Sequence, residues 1–129
     1  MIIGIGIDII DIRRIEKTII KYGDRFIKKC FLQTEIQKSE NRRNTIQSYA
    51  KRYAAKEALS KALGTGIRQG INFKDIEITN NNFGKPSIKL KGATANFLNK
   101  KLKSKKYSIY LSLSDDLPWA QATVIISYN

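Results

Sequence analysis

Glu57 sits in the run Arg52-Tyr53-Ala54-Ala55-Lys56-Glu57-Ala58, whose small and apolar residues recur at helical spacing. It follows Tyr53 by four positions and Ala54 by three, which puts it inside or beside a buried stripe. A carboxylate there has to be paired or metal-bound, because an isolated buried charge is too costly. Lys61 stands one turn further on, in the favourable Glu-to-Lys order, so a plain intrahelical ion pair is one reading. Asp8 opens another. It closes Gly4-Ile5-Gly6-Ile7-Asp8, where two glycines leave room beside a lone carboxylate for a helix or ligand to approach. If the helix brings Glu57 to Asp8, the two carboxylates repel unless a cation lies between them. Oxygen-only ligation selects Mg²⁺, Mn²⁺ or Ca²⁺ over zinc or copper, and Mg²⁺ commonly leaves most of its positions to water and phosphate oxygens. Arg52 and Lys61 on the same helix suit a phosphate chain, and the set amounts to a kit for phosphoryl transfer. The turn Gly64-Thr65-Gly66 reads first as a helix stop, with amides that can also face a phosphate.

What the chain lacks narrows the chemistry further. It has no histidine, which removes Ser-His-Asp and Cys-His nucleophiles and every His-ligated metal. A single cysteine, Cys30, allows no internal disulfide and fits a reducing compartment. The 129 residues suit one domain over 1–129 with a single core. Lys and Arg number 24 against 11 Asp and Glu, a formal net charge of +13. Ile, Lys and Asn fill 47 positions, and all have AT-rich codons, so part of that charge follows base composition rather than a partner. A basic chain still favours acidic partners. The apolar start at Met1–Ile7 is cut short by Asp8 with no basic stretch before it, and no run reaches the ~20 apolar residues of a membrane span. The expectation is a soluble cytoplasmic protein that engages no membrane.

Positioning these residues requires a particular set of elements. Residues 2–10 alternate, with Ile3, Ile5, Ile7 and Ile9 on one face and Gly4, Gly6 and Asp8 on the other, which predicts a strand with its isoleucine face in the core. Asp11 caps a helix over about 12–22. On its wheel Arg13, Arg14, Lys17 and Lys21 span about 0–100°, and Ile12, Ile15, Ile19 and Tyr22 lie at about 180–260°. A second short helix covers 24–31, with Phe26, Ile27 and Cys30 inward. Thr34 and Gln37 form a capping-box signature for the next. The longest helix runs 45–63 and ends at Gly64. A hairpin is predicted around Asn80–Gly84, then a helix over 93–102, a strand from Tyr107, a loop over Ser114–Trp119 and a last strand. This order indicates an α+β fold with a mostly antiparallel sheet packed around the long helix.

Three stretches, taken in order and at these distances, resemble one family: Gly4-Ile5-Gly6-Ile7-Asp8-Ile9, Arg52–Ile67 with its Lys56-Glu57-Ala58 and Lys61-Ala62-Leu63-Gly64 steps, and Asn82-Phe83-Gly84-Lys85-Pro86. The chain is similar over nearly its full length to the small bacterial 4′-phosphopantetheinyl transferases of the holo-[acyl-carrier-protein] synthase type. The resemblance implies transfer of 4′-phosphopantetheine from coenzyme A to a serine of apo-acyl carrier protein, in support of fatty acid biosynthesis, with release of adenosine 3′,5′-bisphosphate. It implies that Asp8 and Glu57 hold Mg²⁺ on the coenzyme A pyrophosphate and that Lys61 lies by the phosphates. Arg52 and the Gly64-Thr65-Gly66 turn are placed with the coenzyme, and Arg13, Arg14, Lys17 and Lys21 dock the acidic carrier protein. Glu57, or a water it orients, is the candidate base for the serine. A homotrimer with sites between subunits is also implied, and no nucleic acid partner. Phosphoryl transfer needs charge neutralisation more than a covalent nucleophile, so the lack of histidine is no obstacle. One residue departs from the pattern: Asp115 follows Ser112-Leu113-Ser114 where the family commonly has histidine. It points away, pairs with a lysine or joins the metal site. The competing reading, from the charge, is a non-enzymatic RNA-binding α/β domain. Against it, Tyr107 and Tyr110 fall on opposite faces of their strand and form no stacking platform.

Overall fold

The computed structural model describes residues 1–68 and 70–129. Strand β1 (Ile2–Asp11) leads straight into α1 (Ile12–Tyr22), and the Asp11 carboxylate accepts the Arg13 amide at 3.0 Å, as expected of an N-cap. Gly23, at φ +55°, turns the chain into α2 (Asp24–Cys30), which is followed by α3 (Gln33–Glu40) and α4 (Thr45–Leu63). A 3-10 turn (Phe73–Asp75) precedes the β2 (Ile76–Asn80) and β3 (Pro86–Leu90) hairpin. Helix α5 (Gly92–Lys101) leads to β4 (Tyr107–Asp116) and β5 (Trp119–Tyr128). The main sheet has the order β1-β5-β4, all antiparallel, and β2-β3 forms a separate ribbon. The fold is α+β, built around a long central helix as the element order predicts.

Small residues set the spacing between that helix and the sheet. Ala54, Ala55 and Ala58 of α4 are fully buried, as are Ala120, Ala122, Val124 and Ile126 of β5. A Cβ added at Gly6 would lie 2.7 Å from the Ala62 nitrogen and 2.9 Å from the Ala58 carbonyl carbon, and one at Gly4 would meet the Ala62 carbonyl. The two glycines therefore let the α4 backbone rest directly on β1, which is the close approach their spacing suggests.

That packing reverses one expectation. The glycine face of β1, with Ile10, meets the core, and the isoleucine face points outward: Ile5, Ile7 and Ile9 are 60%, 52% and 60% exposed. Alternation identifies two faces of a strand but not which is covered, and only the face without Cβ atoms admits a helix backbone. Two local expectations also change. Helix α3 starts at Gln33, where Glu35 rather than Gln37 closes the first turn by accepting the Leu32 amide at 2.9 Å, while the Thr34 hydroxyl donates to Glu77. Residues 114–119 are mostly strand, because β4 and β5 pair out to Asp116 and Trp119 and leave only Leu117-Pro118 as the connection. The Pro118 carbonyl accepts the Ile12 amide at 2.7 Å, tying this hairpin to the start of α1.

Candidate active site

Asp8 projects from the glycine face of β1, so its carboxylate comes up beside α4. Lys61 reaches it there, its Nζ donating to Asp8 Oδ1 and to the Ile7 carbonyl, both at 3.0 Å. The lysine thus bridges helix to strand, and the intrahelical Glu57–Lys61 pair is absent among the described ion pairs. Glu57 lies one turn earlier on the same helix and lines a cleft of about 460 Å³ with Lys29, Tyr53, Ile67, Ile71, Asn72 and Phe73. Burial pushes its carboxyl above the usual carboxylate range, and the Asp8 charge pushes the same way, with Tyr53 and Lys61 opposing. Glu57 in turn reinforces the effect of burial on Tyr53, whose hydroxyl is pushed up to about 12. The fold therefore brings Asp8, Glu57 and Lys61 together.

Two carboxylates and one ammonium carry a net charge of −1 and have oxygen donors only. Among the described residues no cluster of three or more Asp, Glu, His or Cys groups forms, so a cation here would have two protein carboxylates at most. That donor set fits Mg²⁺, which completes its shell with water and phosphate oxygens. The raised Glu57 carboxyl fits too, since a cation would offset both the burial and the Asp8 charge that raise it.

The other sequence-predicted residues lie elsewhere. Arg52 is buried and donates from Nη1 to the Ile78 carbonyl at 2.7 Å and from Nη2 to Asn80 Oδ1 at 3.3 Å. It lines a separate small cleft with Arg42, Ser48, Lys51, Asn80 and Leu113, and its Nε is the one buried side-chain polar atom among the described residues without a partner. Arg52 is not part of the Asp8–Glu57 group. The Gly64-Thr65-Gly66 turn stops α4 as expected, with Gly64 in the left-handed region at φ +83°. Its amides are not free for phosphate, however: Gly64 donates to the Lys61 carbonyl at 3.0 Å, and Thr65 and Gly66 both donate to the Ser60 carbonyl at 3.2 Å. The amides close the helix end because its last carbonyls need donors. Asp115 pairs with Lys51 at 3.8 Å, which selects one of the three places considered for it.

Arg14, Lys17 and Lys21 stand exposed on α1 without an acidic partner among the described residues, whereas Arg13 is held by Asp11, its Nε 2.9 Å and its Nη2 2.6 Å from the carboxylate. Beside them a groove of about 280 Å³ is lined by Thr18, Tyr22, Arg25, Phe26 and Lys29. Lys29 belongs to this groove and to the Glu57 cleft, which joins the cationic helix face to the carboxylates. Sequence reasoning placed Ile67 only at the end of the second motif, and missed Lys29, Ile71, Asn72 and Phe73. Lys29 was legible as the outward neighbour of Cys30; the rest come from an aperiodic stretch that carries no signal.

The sequence matches the 4′-phosphopantetheinyl transferase superfamily over residues 4–122. The chain belongs to this family. It is 53% identical over 127 residues to the holo-[acyl-carrier-protein] synthase of Rhizobium meliloti strain 1021, covering 98% of this chain and 91% of that protein. Its fold is similar to the crystal structure of the holo-[acyl-carrier-protein] synthase of Neisseria meningitidis, with TM-score 0.88, 33% identity, and 98% and 99% of the two chains covered. It is also similar to the Helicobacter pylori holo-[acyl-carrier-protein] synthase solved in complex with coenzyme A, with TM-score 0.81, 33% identity, and 95% and 99% covered. The three motifs quoted above all fall within the matched span.

Proposed function

We propose that this chain is a holo-[acyl-carrier-protein] synthase, which moves 4′-phosphopantetheine from coenzyme A to a serine of apo-acyl carrier protein. The observation that carries the reading is the Lys61–Asp8 bridge across the β1–α4 contact, with Glu57 one turn earlier on the same helix and within reach of the Asp8 charge, in a member of this family. Asp8 and Glu57 would hold Mg²⁺, which when bound offsets charge on the pyrophosphate and on the leaving group. Lys61 fixes the Asp8 carboxylate and adds a positive charge beside the phosphates. Glu57, or a water it orients, takes the proton from the serine hydroxyl. The serine oxygen bonds to the phosphorus that bears pantetheine. The bond from that phosphorus to the bridging oxygen breaks, and its electron pair leaves with adenosine 3′,5′-bisphosphate.

The remaining surfaces support the same reading. Arg14, Lys17 and Lys21, with Arg13 at their edge, present positive charge to an acidic carrier protein, and the groove through Lys29 leads from there to Glu57. The outward face of β1, with Ile5, Ile7 and Ile9, is an apolar surface that association of copies would cover, and a homotrimer is the assembly we propose. In that assembly Arg52, Arg42 and Lys51, isolated from the carboxylates within one protomer, would serve a coenzyme shared with a neighbour. Among the described residues no helix is long and apolar enough to cross a membrane, and a cytoplasmic location is proposed. The test is mass spectrometry of apo-acyl carrier protein incubated with coenzyme A, Mg²⁺ and this protein. A gain of one phosphopantetheine is expected, and an unmodified carrier protein would refute the reading.

A further inference from the structure

The residue before Glu57 points the other way, into the core. Lys56 is fully buried, and its Nζ donates to Glu35 Oε1 at 2.7 Å, to the Cys30 carbonyl at 2.7 Å and to the Phe73 carbonyl at 2.9 Å. Those three bonds use every proton of the ammonium. Glu35 is equally buried and also accepts the Leu32 amide at 2.9 Å and the Ile78 amide at 3.0 Å. One ion pair thus joins the end of α2, the start of α3, the middle of α4, the 3-10 turn and β2.

Such a pair is weak evidence for stability, since apolar residues of similar volume often do as well or better in its place. What distinguishes it is where its bonds end. Phe73 lines the Glu57 cleft, and so do Asn72 before it and Lys29, the residue before Cys30. The Phe73 ring also stacks on Tyr53 at 5.2 Å between centroids and 26° between planes. Tyr53 is the cleft residue one turn before Glu57. The cleft lining contributed by the α2 end and by the 3-10 turn is therefore pinned to the same ammonium.

We propose that Glu35 and Lys56 are positioning residues of the active site: the ammonium, anchored by Glu35, fixes the separation of the α2 end and the 3-10 turn, and so the width of the cleft in which Glu57 acts. This rests on the reading of that cleft as the site of phosphopantetheine transfer. The test is the neutral pair Glu35→Gln/Lys56→Met, which removes both charges at once and strands neither. The folded variant should lose about tenfold or more in kcat while KM for carrier protein stays within about twofold, because α1 supplies none of the pair's partners. Amide exchange should quicken over residues 71–76 and 30–32 and keep wild-type rates in β1 and β5. Wild-type kcat in the folded variant overturns the inference, and so does exchange that quickens evenly along the chain. If the double variant does not fold, Glu35→Asp keeps a negative charge for Lys56 and shortens the anchor by one methylene. It should show the same local exchange pattern with a fall in kcat of about threefold, and wild-type values there overturn the inference equally. Failure of the wild-type protein to modify carrier protein would refute the cleft's assignment instead, a result distinct from either of these.

Discussion

Replacing Gly6 with alanine tests whether the glycine face of β1 exists to bring α4 onto Asp8. The added Cβ would sit 2.7 Å from the Ala62 nitrogen and 2.9 Å from the Ala58 carbonyl carbon, and the Ala58 carbonyl oxygen lies nearer still. Heavy atoms in favourable contact stay about 3.5–4.0 Å apart, so α4 has to retreat from β1 by roughly 1.5 Å or more. All the obstructing atoms are backbone, so no side-chain rotation relieves the clash. Overpacking of this kind costs about 1–3 kcal/mol, or somewhat more against a rigid helix. The retreat also pulls Lys61 away from its 3.0 Å bond to Asp8 and parts Asp8 from Glu57. Even a displacement near 1 Å at a reacting centre can cost about 10²-fold in rate. Gly6→Ala should therefore remain folded in a thermal melt at reduced midpoint, lose about 10²-fold in kcat, and need more Mg²⁺ for half-maximal rate. Wild-type kcat with an unchanged Mg²⁺ requirement would refute the argument that this contact assembles the site.

Charge reversal at Arg14 and Lys21 should raise KM for carrier protein and leave that for coenzyme A nearly unchanged. Each charge should matter by about 1 kcal/mol or less, so steady-state kinetics of the double variant are the measurement, and equal damage to both KM values would exclude α1 as the docking face. Asp115→His removes a partly exposed partner of Lys51, so it should change stability by less than about 1 kcal/mol and leave coenzyme A binding unchanged or tighter. A large loss of activity in the folded variant would place Asp115 in the catalytic machinery instead. Glu57 has a carboxyl raised by burial and by Asp8, so the folded state binds its proton more tightly than the unfolded chain and loses stability as pH rises from the unfolded value through the folded one. In the absence of Mg²⁺, Glu57→Gln should therefore melt above wild type at neutral pH, with the gap closing as pH falls through the carboxylate range. A gap independent of pH would count against a raised Glu57 carboxyl.

The sequence showed the elements more clearly than their facing. Helix α4 was legible from Tyr49, Ala50, Ala54 and Ala58 because burial on a helix needs residues three and four apart. Its stop was legible in Gly64, and the start of α1 in Asp11. Which face of β1 lies inward was not, because Ile3 to Ile9 form a strong apolar stripe and hydrophobicity alone favours burying it. The two glycines pointed the other way through space rather than polarity, and space prevailed. At the site, Asp8 and Glu57 could be paired from spacing plus that space, but Lys61 looked like the partner of Glu57 until the strand supplied Asp8 as an alternative. The contacts of Lys56 were hidden because its partners, Glu35 and the carbonyls of Cys30 and Phe73, are separated from it by 17–26 positions. Backbone carbonyls leave no mark in a sequence.

The central claim is that Asp8 and Glu57 act as one metal-holding unit, and it is tested most directly by the rate of phosphopantetheine transfer measured against Mg²⁺ concentration. Asp8→Asn and Glu57→Gln keep shape and remove one charge each. Each should lower kcat by on the order of 10²-fold and shift the Mg²⁺ titration to higher concentration. The double variant should be little worse than either alone, because the second loss acts on a site already without its ion. Folded variants that retain activity with an unaltered Mg²⁺ titration would contradict the account, leaving Asp8 as the structural partner of Lys61 and Glu57 as a half-buried acid without a metal.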